Sequence, residues 1–95
     1  MRFAFIIMGE FSFPTDTAEI AGGSARIIGV ADINGAIEAA RMLQKSGVDC
    51  IELCGAFGED GARKIIEATG NGMPIGYVTH LPEQDRLYRA VFSER

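Results

Sequence analysis

The sequence predicts a small single-domain α/β fold, residues 1–95, built on a mostly parallel four-stranded sheet with about three helices in the order β-β-α-β-α-β-α. Three observations carry that expectation. With 47% hydrophobic and 23% charged residues over 95 positions, the chain is too apolar for disorder and too short for two cores. From residue 24 onward, short strand-like runs alternate with stretches of helical period. The 12 glycines fall between Gly9 and Gly76, where elements should end.

The first strand is Phe3 to Met8, whose six residues are apolar at odd and even positions alike, as in a central strand covered on both faces. The connection from Gly9 to Gly23 is long for a compact domain and reads as a lid or arm. Asp16 and Glu19 stand there at capping spacing and allow one short helical turn. The second strand is Ser24 to Val30, followed by Asp32 as N-cap of a helix carrying Ile33, Ala36, Ile37, Ala40 and Leu43, with Gly47 as its stop. The third is Val48 to Cys54, and its helix spans about Glu59 to Thr69 before Gly70. The fourth is Pro74 to Thr79, and a last helix over about Glu83 to Phe92 presents Leu87, Tyr88, Val91 and Phe92 as an apolar stripe.

Composition excludes some partners. Nine Lys+Arg against 13 Asp+Glu give a net charge of −4, and no run of positive charge could track a nucleic-acid backbone. The apolar run at the N-terminus is far shorter than the roughly 20 residues a membrane span needs, and it lacks a cleavage site, so no membrane association and no signal peptide are expected. Cys50 and Cys54, four apart on an extended segment, place their Cα atoms about 13 Å apart and cannot pair within the chain. Two free thiols point to a cytoplasmic protein.

In a parallel sheet, ligands bind outside the carboxyl ends of the strands. The sequence places Gly9 and Glu10, Asp32 and Asn34, Cys54, Gly55 and Phe57, and Thr79 and His80 there. Gly9, Glu10, Asp32, Gly55 and Thr79 are ligand-binding candidates, while Glu52, Cys54 and His80 are catalytic candidates. Glu52 stands out because a carboxylate within an apolar strand must be paired, hydrogen-bonded or protonated if both faces are covered. It reads either as a general acid or base on the same face as Cys50 and Cys54, or as a residue of an edge strand or of a salt bridge to Arg26 or another chain's arginine. The helix after Cys54 presents its N-terminus to the thiol, although Glu59 and Asp60 offset that field. A Cys54–His80 nucleophilic pair requires adjacent strand ends, and no closely spaced Cys/His pairs of a metal site occur. A lone His80 reads more readily as a hydrogen-bonded loop residue ahead of Pro82 than as a ligand or a base. Gly55, Gly58 and Gly61 are spaced G-x-x-G-x-x-G, which is not the dinucleotide-binding pattern, so no cofactor is predicted. Gly76, inside a strand, admits either close packing or a ligand.

The segments Phe-Ala-Phe-Ile-Ile-Met-Gly (3–9), Gly-Val-Asp-Cys-Ile-Glu-Leu-Cys-Gly-Ala-Phe-Gly (47–58) and Pro-Ile-Gly-Tyr-Val-Thr-His-Leu-Pro (74–82) resemble a family of short uncharacterised bacterial α/β proteins, a domain of unknown function. The resemblance covers nearly the whole chain and implies a stand-alone cytoplasmic protein, with no activity to carry over. The rhythm of residues 24–95 also looks like a (β/α) barrel fragment or a flavodoxin-like unit, with Glu52 placed as an inward residue would be. Two functions follow as expectations. One is a small-molecule-binding protein, with or without turnover, whose site lies at the strand ends. The other is a non-catalytic homo-oligomeric module that associates through the Phe-rich segment containing Phe3, Phe5, Phe11 and Phe13.

Overall fold

A computed structural model describes residues 1–92. Its five strands are β1 (Phe3–Met8), β2 (Thr17–Ile20), β3 (Ala25–Val30), β4 (Cys50–Leu53) and β5 (Ile75–Tyr77). Its α-helices are α1 (Ile33–Lys45), α2 (Gly58–Ala68) and α3 (Asp85–Phe92). Short 3-10 turns occupy Ala21–Gly23 and Pro82–Gln84. The strands form one mixed sheet in the order β2-β3-β1-β4-β5, with β2 antiparallel to β3 and every other pair parallel. β1 is central, as its apolar run predicts.

The fifth strand corrects the expected four. Residues 17–20 form no lid and no helical turn, because Thr17–Ile20 pairs with Ala25–Ile28. Asp16 caps nothing helical. Its carboxylate accepts the Ser12 N–H at 2.7 Å and its carbonyl accepts the Gly29 N–H at 2.8 Å, which seats the connection on β3. Ala21, Gly22 and Gly23 all have positive φ, and the two glycines make that tight reversal accessible at low cost.

Locally legible signals build α1. The Asp32 side chain accepts the Gly35 N–H at 2.8 Å, and Gly47 at φ 89° ends the helix as predicted. Ala36, Ala39, Ala40 and Leu43 face inward at helical spacing, and their small volumes let α1 lie close to the sheet. Thr69, after α2, is buried; its hydroxyl donates to the Ile65 carbonyl, and its own carbonyl accepts from Gln44 Nε2 at 3.0 Å, which ties α2 to α1.

Strand order explains where the core sits. Right-handed crossovers from β3 through α1 to β4, and from β4 through α2 to β5, advance the same way across the sheet and so place both helices on one face. That face contributes Ala4, Ile6, Ile28, Val30, Ile51 and Leu53 to the core, against α1, α2 and Phe57. The connection from β1 to β3 runs the other way, and a helix there would cover the second face. The chain spends that stretch on β2, in the plane of the sheet, and no helix of the described residues is buried against the second face. The expectation that β1 is covered on both sides is therefore corrected. Phe3, Phe5, Ile7, Ile27, Cys50 and Glu52 point to a face that, among the described residues, the 9–16 connection partly screens.

Candidate functional site

Two places gather the residues singled out by sequence, and register decides which residue falls where. The first is the rim outside the carboxyl ends of β1 and β4. Connections leave these adjacent strands in opposite directions, the position where open α/β sheets bind ligands. Cys54 stands there. Its N–H donates to the Ile6 carbonyl at 3.1 Å, and its Sγ accepts the Met8 N–H at 3.3 Å, so the thiol occupies the last rung between the two strands. Gly9 donates to the Val30 carbonyl at 3.0 Å and extends the β1–β3 ladder by one residue, which leaves Glu10 exposed at the turn.

The remaining rim candidates have local work. Asp32 caps α1, with Asn34 exposed in its first turn. A Cβ on Gly55 would lie 3.5 Å from the Val78 carbonyl oxygen, so Gly55 lets the β5 extension pass close by. Phe57 is buried at the start of α2, and Glu59 pairs with Arg63 one turn on. Thr79 is exposed. His80 Nε2 lies 2.7 Å from Asp85 Oδ1, and its ring stacks on Tyr88 with centroids 3.9 Å apart. No hydrogen bond or ion pair among the described residues joins His80 to Cys54 or Glu52. The histidine instead braces the junction between the β5 extension and α3.

The second place is the bare face, and Glu52 belongs to it. It is half-buried, registered between Phe5 of β1 and Gly76 of β5. A Cβ on Gly76 would sit 2.6 and 2.8 Å from the two Glu52 carboxylate oxygens, so the missing side chain is what allows the carboxylate to lie across β5. The space left by Gly76 is filled by Glu52 itself. Arg26 does not pair with it, since its guanidinium lies 3.1 Å from Glu19 on the opposite face, which corrects that alternative. No hydrogen bond or ion pair to the Glu52 carboxylate occurs among the described residues. Cys50, two residues earlier on the same face, has its thiol pKa pushed up by burial first, then by the charges of Glu52 and Asp49. Both cysteines are free.

Further along this face a depression of about 140 Å³ is lined by Ala18, Ile20, Ala25, Arg26 and Ile27. Phe11 closes the other end, its Cβ and Cγ both 2.7 Å from where a Cβ on Gly29 would be. Phe13 turns to the opposite side and packs against the core near α1. Among the described residues no group of three or more His, Cys, Asp or Glu could hold a metal ion, and no helix is long and apolar enough to cross a membrane.

The bare face and the outward α3 were not legible from periodicity. A signal existed for the first, because a β1–β3 connection with no helical period leaves one side of a parallel sheet without a cover. Fold and site thus define a small α/β domain with a mixed five-stranded sheet, two of its helices on one side and, among the described residues, the Glu52 carboxylate on the other. Residues 1–93 match the family of unknown function DUF6506, and the chain belongs to that family. No curated protein and no solved structure matches it.

Proposed function

We propose that this protein binds a small molecule on the bare sheet face, with the Glu52 carboxylate as its polar anchor and the β1–β4 rim as the open end of the site. The observation that carries this reading is Glu52 itself: half-buried, surrounded by Phe5 and Gly76, and without a donor from the described residues. A carboxylate in such a setting gains most from a ligand that supplies a donor or a positive charge, such as an amine or a hydroxyl on an otherwise apolar body. Gly9, Glu10, Gly55 and Thr79 are the candidates for contacts at the rim, and Cys54 and His80 remain the catalytic candidates should the ligand be turned over. Asp32 contributes through the fixed start of α1.

Native mass spectrometry of gently purified protein tests the proposal. A stoichiometric extra mass that disappears in a folded Glu52→Gln variant supports it. Protein without extra mass, and without a thermal shift from any amine or alcohol in a metabolite-like panel, overturns it. The rival reading, a non-catalytic oligomeric module, is favoured by the apolar surroundings of Glu52, and it predicts assembly with no bound mass.

A further inference from the structure

Among the described residues, the last helix is left outside the hydrophobic core. α3 buries none of its eight residues, although Leu87, Tyr88, Val91 and Phe92 form an apolar stripe and Leu87 and Phe92 are 48% and 62% exposed. Helices shorter than about 12 residues are marginal in water without packing, so α3 needs a cover. Its base is nevertheless well fixed. Val78 donates to the Leu53 carbonyl at 2.9 Å, and His80 holds both Asp85 and the Tyr88 ring. This brace carries the helix outward. The radius of gyration is 13.5 Å, against about 12.4 Å for a compact chain of this length, and the longest dimension is 38 Å.

The same chain carries the matching deficit. Its second sheet face leaves Phe3 and Ile27 at 37% and 42% exposure, with Ile20 beside them. Five strands at 4.8 Å spacing and about five residues of strand rise give a face of about 400 Å². That is half the roughly 800 Å² per partner of a standard stable interface, so the face alone is insufficient and a second apolar surface must join it. An eight-residue helix, about 12 Å long, fits within the height of the face.

We propose that two copies of this chain exchange arms: α3 of each lies on the bare sheet face of the other, beside Phe3 and Ile27, in a closed two-fold dimer. Each copy has one uncovered face and one uncovered arm, so reciprocal exchange satisfies both and leaves no site for a third copy. The dimer stands independently of any ligand at Glu52, and absence of a bound mass leaves it intact.

A mixing experiment separates arm exchange from other contacts. Phe3→Asp with Ile27→Asp spoils the face, and Leu87→Asp with Val91→Asp spoils the arm. Light scattering after size exclusion should report a dimer for the wild type and monomers for each double variant alone. An equimolar mixture rebuilds one of the two arm–face contacts, the intact arm of one variant on the intact face of the other, so heterodimers should form more weakly than the wild-type dimer but at concentrations where neither variant alone associates. A monomeric wild type, whether α3 then folds onto its own sheet or awaits a different protein, overturns the proposal. So do variants that remain dimeric, and so does a mixture of folded variants that associates no more than either variant alone up to high micromolar protein. If a variant fails to fold, hydrogen exchange of the wild type decides: α3 amides should gain at least tenfold protection between submicromolar and high micromolar protein, and equal protection at both overturns it.

Discussion

Cys54 Sγ accepts the backbone N–H of Met8 at 3.3 Å, so a side chain takes over the hydrogen bond that a strand carbonyl would otherwise receive. The thiol is thereby built into the end of the β1–β4 ladder. Cys54→Ala removes the acceptor and leaves a partly buried donor unpaired, which should cost about 1–3 kcal/mol. Cys54→Ser retains an acceptor and should cost less. Urea midpoints of the two variants check the order, and equal midpoints would dismiss the bond as a contributor.

Cys50 should ionise late. Its raised thiol pKa comes mainly from burial, with Glu52 and Asp49 adding repulsion toward the thiolate. In a Cys54→Ser background, the pH midpoint of alkylation should lie above that of an unstructured cysteine peptide. Glu52→Gln should bring it only part of the way back, since burial persists. The folded state keeps this proton to higher pH than the unfolded chain, so stability should fall as pH rises from the ordinary thiol range through the raised value. Cys50→Ser should flatten that slope.

Two glycines on the bare face should respond differently to alanine. At Gly29 the obstructing atoms are Cβ and Cγ of Phe11, which cannot move without the backbone, and Gly29→Ala should cost about 1–3 kcal/mol. At Gly76 the obstruction is the far end of Glu52, which can swing away, so Gly76→Ala should cost little while displacing the carboxylate. A double-mutant cycle with Phe11→Gly, which removes both obstructing atoms, should recover most of the Gly29 penalty, and strict additivity would refute the contact.

The α1 cap offers a simpler check. Asp32→Ala should lower stability by about 1 kcal/mol, Asp32→Asn by less, and thermal melts of both variants report the difference. A loss of ligand binding in Asp32→Asn without loss of stability would instead mark a direct role at the rim.

What the sequence revealed follows the range of the forces involved. The α1 boundaries were readable because Asp32, the 36–40–43 spacing and Gly47 act within a turn or two of one another. Strand β2 escaped because Thr-Ala-Glu-Ile has weak local preference and the Asp16–Glu19 spacing imitates a cap, while its pairing with β3 is a tertiary matter. The apolar run of β1 reported burial potential on both faces but could not say whether this chain supplies the second cover. Glu52 could be singled out by its polarity alone. That its carboxylate lies across Gly76 needed the β4–β5 register, which no single segment encodes.

Both margins of the sheet are short, four residues in β2 and three in β5. A long unpaired margin would invite strand-by-strand growth into aggregates, and these offer too few backbone groups to seed it. A protein with so much uncovered apolar surface thus withholds the unlimited route of association. Whatever meets it must come broadside, onto a surface of finite area that is used up once filled.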